Sequence, residues 1–168
     1  MNTPTIETQR LILRRFTQDD ARALYQILSD EEVNTFLPMF PLKTMEEANA
    51  YIQKQYLDTY QEPFGYRYAV CLKTDHIPIG YVQVSSSESH DFGYGLRKDF
   101  WHKGIITEAG RAVVEELRNS GMPFITATHD IKNPRSGEVM KKLGMIYQYS
   151  YEEQWLSLIH ISEPTRRS

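Results

Sequence analysis

The sequence predicts a single α/β domain whose mixed, mostly antiparallel sheet is flanked by about four helices. Two observations predict this fold class. Residues 66–73 and 77–84 are strand-like runs joined by Thr74-Asp75-His76, which is a hairpin signal. In the second half of the chain, strand-like and helical segments alternate, and that order requires crossover connections between strands. A partly parallel region is therefore expected to follow an antiparallel one.

The chain is predicted to begin with a strand and a helix. Residues 8–16 alternate in hydrophobicity, with Leu11 and Leu13 on one face, which is typical of a strand. Thr17 and Asp20 match a helix start. The apolar positions that follow have helical spacing: Ala21, Leu24, Tyr25 and Leu28.

A second helix is predicted from Thr44, which can form a capping box with Glu47, through about Tyr60. Residues 33–41 precede it and carry aromatic and apolar side chains between prolines. An apolar loop between two helices often lines a pocket, so this loop hints at a ligand with some hydrophobic surface.

The second half is predicted to contain, in order, strand 92–96, helix 105–117, buried strand 124–130, a helix beginning at Asn133, and strand 146–155. Gly121 can end the first of these helices, because glycine readily adopts the left-handed backbone conformation. Asn133 fits an N-cap position, with Pro134 in the first turn and Gly144 where the helix would stop.

The composition favours one globular domain and disfavours several classes of protein. The 168 residues are 40% hydrophobic and 24% charged, which allows a core without metals or disulfides. The net charge of -3 does not favour nucleic-acid binding. No stretch approaches the ~20 apolar residues of a membrane span, and the N-terminus lacks the pattern of a secretion signal. Cys71 lies in an apolar run and is interpreted as a core residue, so a cytoplasmic location is expected.

A metal site is not predicted. The histidines are scattered, and none has a second ligand at helical or hairpin spacing: His76, His90, His102, His129 and His160. The many tyrosines and phenylalanines fall mostly at core positions, so they are interpreted as packing.

Two junctions between a strand and a helix carry signals for chemistry. The first is the segment 101–107, in which Lys103 and Gly104 precede a helix. The first turn of a helix has backbone N–H groups without partners, and these attract anions such as a pyrophosphate. The second is Asn133-Pro134-Arg135-Ser136, again at a helix start. Either one alone could be an ordinary loop or a well-capped helix.

Together, the two segments resemble the two cofactor-binding motifs of the GNAT acyltransferases. The run Phe100-Trp101-His102-Lys103-Gly104-Ile105-Ile106-Thr107-Glu108-Ala109 is most similar to the branch named for RimJ and RimL. Residues 8–14 and 92–96 are also similar to strands of that branch. The resemblance covers residues 8–155, so we expect one domain at 1–155.

The resemblance implies that two parallel strands, 92–96 and 124–130, splay apart and hold acyl-CoA between them. Backbone groups of Leu96 and Arg97 would pair with the pantetheine arm, which Asn133 would also bind. The pyrophosphate would be held by N–H groups of the following residues: His102, Lys103, Gly104, Ile105, Ile106 and Thr107.

The resemblance also implies the chemistry. A primary amine would attack the thioester of acetyl-CoA directly, and Ser136 would donate a proton to the departing thiolate. Asp91 occupies a place where relatives often carry an acidic residue and is one candidate for the base, with His129 and Asp130 as others. A surface or structural role is an open alternative for each.

The acceptor is left open by the sequence. It could be the N-terminus of a protein or a small-molecule amine, and the protein could form a homodimer. A different class of answer is a non-catalytic module that binds acyl-CoA or a peptide.

Two departures from the family pattern matter. Ile106 stands where relatives usually have glycine or alanine, and its bulk could crowd the pyrophosphate unless the side chain turns to the core. Residues 156–168 do not match the family and resemble a translated cloning or sequencing-adapter segment. If the segment is foreign, the chain is expected to lack a last strand that normally helps cover the sheet.

Overall fold

The computed structural model describes residues 2–34, 41–130, 133–150, 153–154, 161–162 and 164–167. The predicted apolar loop falls largely on residues 35–40 and so lies outside the described residues. No helix in the described part of the chain is long and apolar enough to cross a membrane.

Five strands form an antiparallel sheet in chain order, and each pairs with the next. They are β1 (Ile6–Glu7), β2 (Leu11–Arg14), β3 (Tyr66–Leu72), β4 (Pro78–Val84) and β5 (Phe92–Leu96). The predicted hairpin between β3 and β4 is confirmed. The first strand, β1, was not predicted, because two residues are too few to show a period.

Four α-helices flank the strands in the described residues: α1 (Ala21–Leu28), α2 (Met45–Ile52), α3 (Ile105–Asn119) and α4 (Pro134–Lys142). Their predicted start signals are confirmed. Asp20 accepts a hydrogen bond from the backbone N–H of Thr17 at 2.7 Å, and Thr44 accepts one from Glu47 at 3.1 Å. Helix α2 continues as a π-helical segment, Gln53–Leu57, and a 3-10 turn, Thr59–Gln61.

The helices cover both faces of the five-stranded sheet. Val70 and Val82 pack in one hydrophobic cluster with α3, and Met140 of α4 joins it. Cys71 follows Val70 in β3, and Tyr81 precedes Val82 in β4. Both pack in a second cluster, with α1 and α2. Neighbouring strand residues face opposite sides, so this alternation explains why β3 and β4 are apolar at almost every position. Burial raises the pKa of the Cys71 thiol to about 11, as expected for a core residue.

Strand β6 (Ala127–Asp130) is shorter than the predicted buried strand at residues 124–130. Phe124 is 48% exposed, so its apolar character does not reflect burial in the sheet. One isolated parallel bridge, Asp91↔Thr126, joins the residues just before β5 and β6. In the residues that the structure describes, the two strands then belong to separate sheets.

The expectation that the chain lacks the last strand is wrong. The final segment, β10 (Pro164–Arg167), lies between β6 and β7 (Tyr147–Ser150) and pairs antiparallel with both. A short pair, β8 (Glu153–Gln154) and β9 (Ile161–Ser162), precedes it. The non-native origin of residues 156–168 stays a prediction.

Candidate active site

The backbone of β5 has one edge in the sheet and one edge turned away from it. Arg97 donates its N–H to Ile79 at 2.9 Å, and the carbonyl of Asp91 accepts from Ser85 at 2.8 Å. Hydrogen bonding to one neighbour alternates along an antiparallel strand. Phe92, Tyr94 and Leu96 therefore direct their backbone groups away from β4. Phe92 confirms this direction, because its N–H bonds to Thr126 beside β6 at 2.6 Å.

The loop between β5 and α3 is held by bonds within the protein. The indole N–H of Trp101 donates to the carbonyl of Leu96 at 2.8 Å. The carbonyl of Arg97 accepts from Phe100 at 3.0 Å. Both backbone polar groups of Arg97 therefore have partners, whereas Leu96 keeps its N–H on the outward edge of β5.

The start of α3 has the features of an anion site. His102 and Gly104 have positive φ angles of 64° and 72°, and Gly104 occupies the N-cap position without a side-chain cap. Within the described residues, the N–H groups of Ile105, Ile106 and Thr107 have no protein acceptor. Unpaired N–H groups and the helix dipole favour negative charge at this point.

The side chain of Ile106 does not crowd this helix start. It is 6% exposed and lies in the hydrophobic cluster that joins α3 to the sheet. Because the side chain is turned to the core, its bulk leaves room for a ligand beside the N–H groups.

Arg10, next to β2, anchors the loop and the first turn of α3. Its guanidinium donates to the carbonyl of Lys103 at 3.0 Å and to the carboxylate of Glu108 at 2.7 Å. Glu108 also accepts from the hydroxyl of Thr8 at 2.6 Å. Burial by itself raises the pKa of Glu108, but the hydrogen bonds from Thr8 and Arg10 outweigh it and lower the pKa below its ordinary value.

Basic side chains pack on aromatic rings around the same loop. The guanidinium of Arg135 lies 4.6 Å from the ring centroid of Trp101. Lys103 and Arg97 lie 5.5 Å from the ring centroid of Phe100. These cation–π contacts bring positive charge from α4 and from the loop to one region.

The second predicted segment forms the start of α4. The side chain of Asn133 accepts from the backbone N–H of Ser136 at 3.4 Å, and Pro134 is in the first turn. The predicted N-cap is confirmed. Ser136 is 7% exposed.

Tyr94 is a neighbour of Ser136 that sequence reasoning missed. Its hydroxyl donates to the hydroxyl of Ser136 at 2.8 Å, which joins β5 to α4 across 42 residues of sequence. Burial raises the pKa of Tyr94, and the bond to Ser136 and the charge of Arg135 oppose this only in part. No local signal distinguishes Tyr94 from the other strand tyrosines.

Asp91 lies at the opposite end of β5 from the loop. One carboxylate oxygen accepts from the hydroxyl of Thr126 at 3.0 Å. The structure thus separates Asp91 from the helix starts along the strand. The side chains of His129 and Asp130 lie outside the described part. Among the described residues, no group of three His, Cys, Asp or Glu side chains is arranged to hold a metal ion.

Residues 10–146 match the family described as Acetyltransferase (GNAT) domain. The chain belongs to the GNAT acetyltransferase family. GNAT acetyltransferases are acyltransferases that use acetyl-CoA as the cosubstrate. Among curated proteins, none matches the sequence significantly.

Solved GNAT structures share this fold over almost the whole chain. An acetyltransferase of the GNAT family from Bacillus anthracis has a TM-score of 0.82 at 21% identity, covering 98% of this chain and 96% of its own. RimL, a ribosomal alpha-N-protein acetyltransferase in complex with coenzyme A, has a TM-score of 0.80 at 17% identity, with 98% and 97% covered.

A microcin self-immunity acetyltransferase, MccE, in complex with acetyl-CoA and AMP, has a TM-score of 0.76 at 18% identity. It covers 95% of this chain and 92% of its own. At these identities the likeness shows the GNAT fold, and the predicted fold family is confirmed.

Proposed function

We propose that this chain transfers an acetyl group from acetyl-CoA to a primary amine by direct attack within a ternary complex. The observation that carries the proposal is the uncapped start of α3, where three N–H groups have no acceptor among the described residues, next to the outward edge of β5. Family membership supplies the cosubstrate.

The pyrophosphate of acetyl-CoA binds at the start of α3 in this proposal. The N–H groups of Ile105, Ile106 and Thr107 have no protein acceptor in the described residues, and Lys103 is exposed beside them. Together with the backbone of His102 and Gly104, they form the anion site. The buried side chain of Ile106 supports this placement, because it leaves the N–H groups accessible.

The pantetheine arm lies along the outward edge of β5, between it and β6. The two strands meet at the single bridge Asp91↔Thr126 and, in this proposal, splay apart beyond it. The outward backbone groups of Tyr94 and the N–H of Leu96 pair with the arm as a further strand would, since the carbonyl of Leu96 is bonded to Trp101. The backbone polar groups of Arg97 are bonded to Ile79 and Phe100. Arg97 therefore contacts the cofactor with its side chain in this proposal. Asn133 binds the arm from the start of α4.

The amine nitrogen attacks the thioester carbonyl carbon, the C–N bond forms, and the C–S bond breaks. Ser136 donates its proton to the departing thiolate. Asp91, the acidic residue just before β5, accepts a proton from the attacking amine through water in this proposal. The protein mainly supplies positioning and hydrogen bonding, so no covalent intermediate is required.

The acceptor is an amine of a protein N-terminus or of a small molecule. RimL acts on a ribosomal protein, whereas MccE is a self-immunity enzyme, and both have the fold of this chain. The motif at residues 100–109 supports the RimJ/RimL branch. A cytoplasmic location and a homodimer stay predictions.

The non-catalytic module is the alternative. One of its supports was the bulk of Ile106, and the burial of that side chain removes it. Turnover of any amine, with loss on Ser136→Ala, would favour the enzyme. Binding of acetyl-CoA without turnover across a broad amine panel would favour the module.

The first experiment titrates the purified chain with acetyl-CoA by calorimetry, alongside Gly104→Glu. The introduced carboxylate should repel the pyrophosphate, so saturable binding is expected for the natural sequence and at least ~10-fold weaker binding for the variant. Gly121→Glu is the matched control, because Gly121 ends the same helix with a similar positive φ and has no atom within 4 Å of its Cβ position. Equal weakening by both variants would contradict the proposed site.

A further inference from the structure

The hydroxyls of Tyr94 and Ser136 form a pair between the strand and the helix that flank the proposed thioester position. The Tyr94 hydroxyl is the donor at 2.8 Å, and the Ser136 oxygen is the acceptor. Tyr94 also directs its backbone groups to the outward edge of β5, where the pantetheine arm is proposed to lie. The same residue reaches α4 with its side chain.

The direction of this bond determines where the Ser136 proton can point. A serine hydroxyl has one proton and two lone pairs, and Ser136 uses a lone pair to accept from Tyr94. Its backbone N–H is already bonded to Asn133 at 3.4 Å. Within the described part of the chain, the hydroxyl proton of Ser136 has no acceptor. The proton is therefore available to a group that enters the site.

Tyr94 holds this arrangement over the working range of pH. Its hydroxyl is buried, and burial raises the pKa of Tyr94, so the phenol stays protonated and continues to donate. A hydroxyl that accepts one hydrogen bond also becomes a stronger donor in the next, because the bonds polarise one another.

We infer that Tyr94 is a positioning residue that orients and polarises the Ser136 hydroxyl toward the sulfur of coenzyme A. The inference rests on the proposed function and extends it to a residue outside the two family motifs. In the step concerned, the C–S electron pair leaves with sulfur, and the sulfur takes the proton from the Ser136 oxygen. Tyr94 keeps its own proton and stabilises the negative charge that develops on that oxygen. The proton that the base took from the amine returns through water to the Ser136 oxygen when the products leave, so the net reaction gives the amide and the free thiol.

The fold contains a matched control for this pair. Tyr66 donates to the hydroxyl of Ser120 at 2.8 Å, at the far end of α3 from the loop. Tyr66→Phe therefore removes the same kind of bond at the same length without touching the proposed site. A loss of packing or stability common to both tyrosines is visible in this control.

The experiment measures the thiol pKa of coenzyme A bound to the full chain, from the ultraviolet absorbance of the thiolate as the pH is raised. A hydrogen bond from Ser136 stabilises the thiolate and lowers the thiol pKa. Tyr94→Phe is expected to raise it by about one unit, as for the loss of a charge-assisted hydrogen bond. Tyr66→Phe should leave it unchanged, and Tyr94→Phe should add nothing in a Ser136→Ala background.

The outcomes separate this inference from the proposed function. If coenzyme A binds to all variants and Tyr94→Phe leaves the thiol pKa unchanged, the role of Tyr94 is overturned and the cofactor site stands. An equal shift in Tyr66→Phe would also overturn it, because the effect would then come from general packing. Failure of the natural sequence to bind coenzyme A would overturn both.

Discussion

Gly95 lacks a side chain at a point where the ring of Tyr81 crosses β5. A Cβ at Gly95 would overlap that ring, lying 2.7 Å from its Cζ and 2.8 Å from its hydroxyl oxygen. The Tyr81 side chain belongs to the hydrophobic cluster under α1 and α2. At the scale of single residues, the glycine therefore lets a large core side chain pack directly against the strand that carries Tyr94 and Leu96.

Gly95→Ala should lower the free energy of unfolding by about 1–3 kcal/mol, because the added methyl displaces a buried ring or the strand beneath it. The measurement is urea unfolding at neutral pH. Gly93→Ala is the matched control, since its Cβ would meet only the Gln83 side chain, at 3.9 Å. Equal stability of the two alanine variants would mean that Tyr81 is not held over Gly95 in solution.

At the scale of elements, the first turn of α3 is fastened to the turn between β1 and β2. Glu108 accepts from Thr8, from the backbone N–H of Arg10 at 3.0 Å and from its guanidinium at 2.7 Å. Arg10 in turn bonds the carbonyl of Lys103. The proposed pyrophosphate loop thus depends on residues nearly a hundred positions away in the chain.

Glu108→Gln should lower the free energy of unfolding at pH 7 by about 1–2 kcal/mol, because hydrogen bonds to a charged acceptor become bonds to a neutral one. The folded pKa of Glu108 is depressed, so this stability is fully present above the unfolded pKa of about 4.3 and is lost as pH falls from there through the lower folded pKa. The difference between variant and natural sequence should therefore shrink on acidification, as followed by urea unfolding at several pH values.

Glu115→Gln serves as the control on the same helix. Glu115 pairs with Arg118 at 3.6 Å, and their side chains are 64% and 72% exposed. Exposed pairs contribute little, so a change below ~0.5 kcal/mol is expected. A loss for Glu115→Gln as large as that for Glu108→Gln would rule out the special role of the Arg10 anchor.

At the scale of the whole molecule, β10 completes the sheet formed by β6 and β7. The backbone of Arg166 pairs with Thr128 on one side and with Tyr149 on the other. A central strand needs its N–H groups, and its loss would leave two strand edges open to other chains. The segment that resembles an adapter sequence therefore has a structural place in this chain.

Arg166→Pro should destabilise the protein by at least ~1 kcal/mol and promote association, because proline removes a ladder hydrogen bond from a central strand. Thermal unfolding and gel filtration measure the two effects. Arg166→Ala keeps the backbone N–H and should behave like the natural sequence. If the proline variant is equally stable, residues 164–167 do not form a strand in solution, and the non-native origin of the tail gains support.

Local signals account for the elements that were predicted well. The hairpin of β3 and β4 follows from a short turn between two apolar runs, and α4 from Asn133, Pro134 and a stop at Gly144. Each of these signals acts within a few residues, where backbone geometry restricts the options. The predicted strand at 124–130 was too long, because the exposure of Phe124 depends on what covers it.

The amino-acid sequence by itself determined the α/β class, the helix starts and the two family motifs that frame the proposed cofactor site. Tertiary structure alone decided that Ile106 turns to the core, that β10 enters the second sheet and that Tyr94 donates to Ser136. The physical reason is the range of the interactions involved. Caps, turns and hydrophobic periods act between neighbours in the chain, whereas burial, strand insertion and a hydrogen bond across 42 residues arise when distant segments pack together.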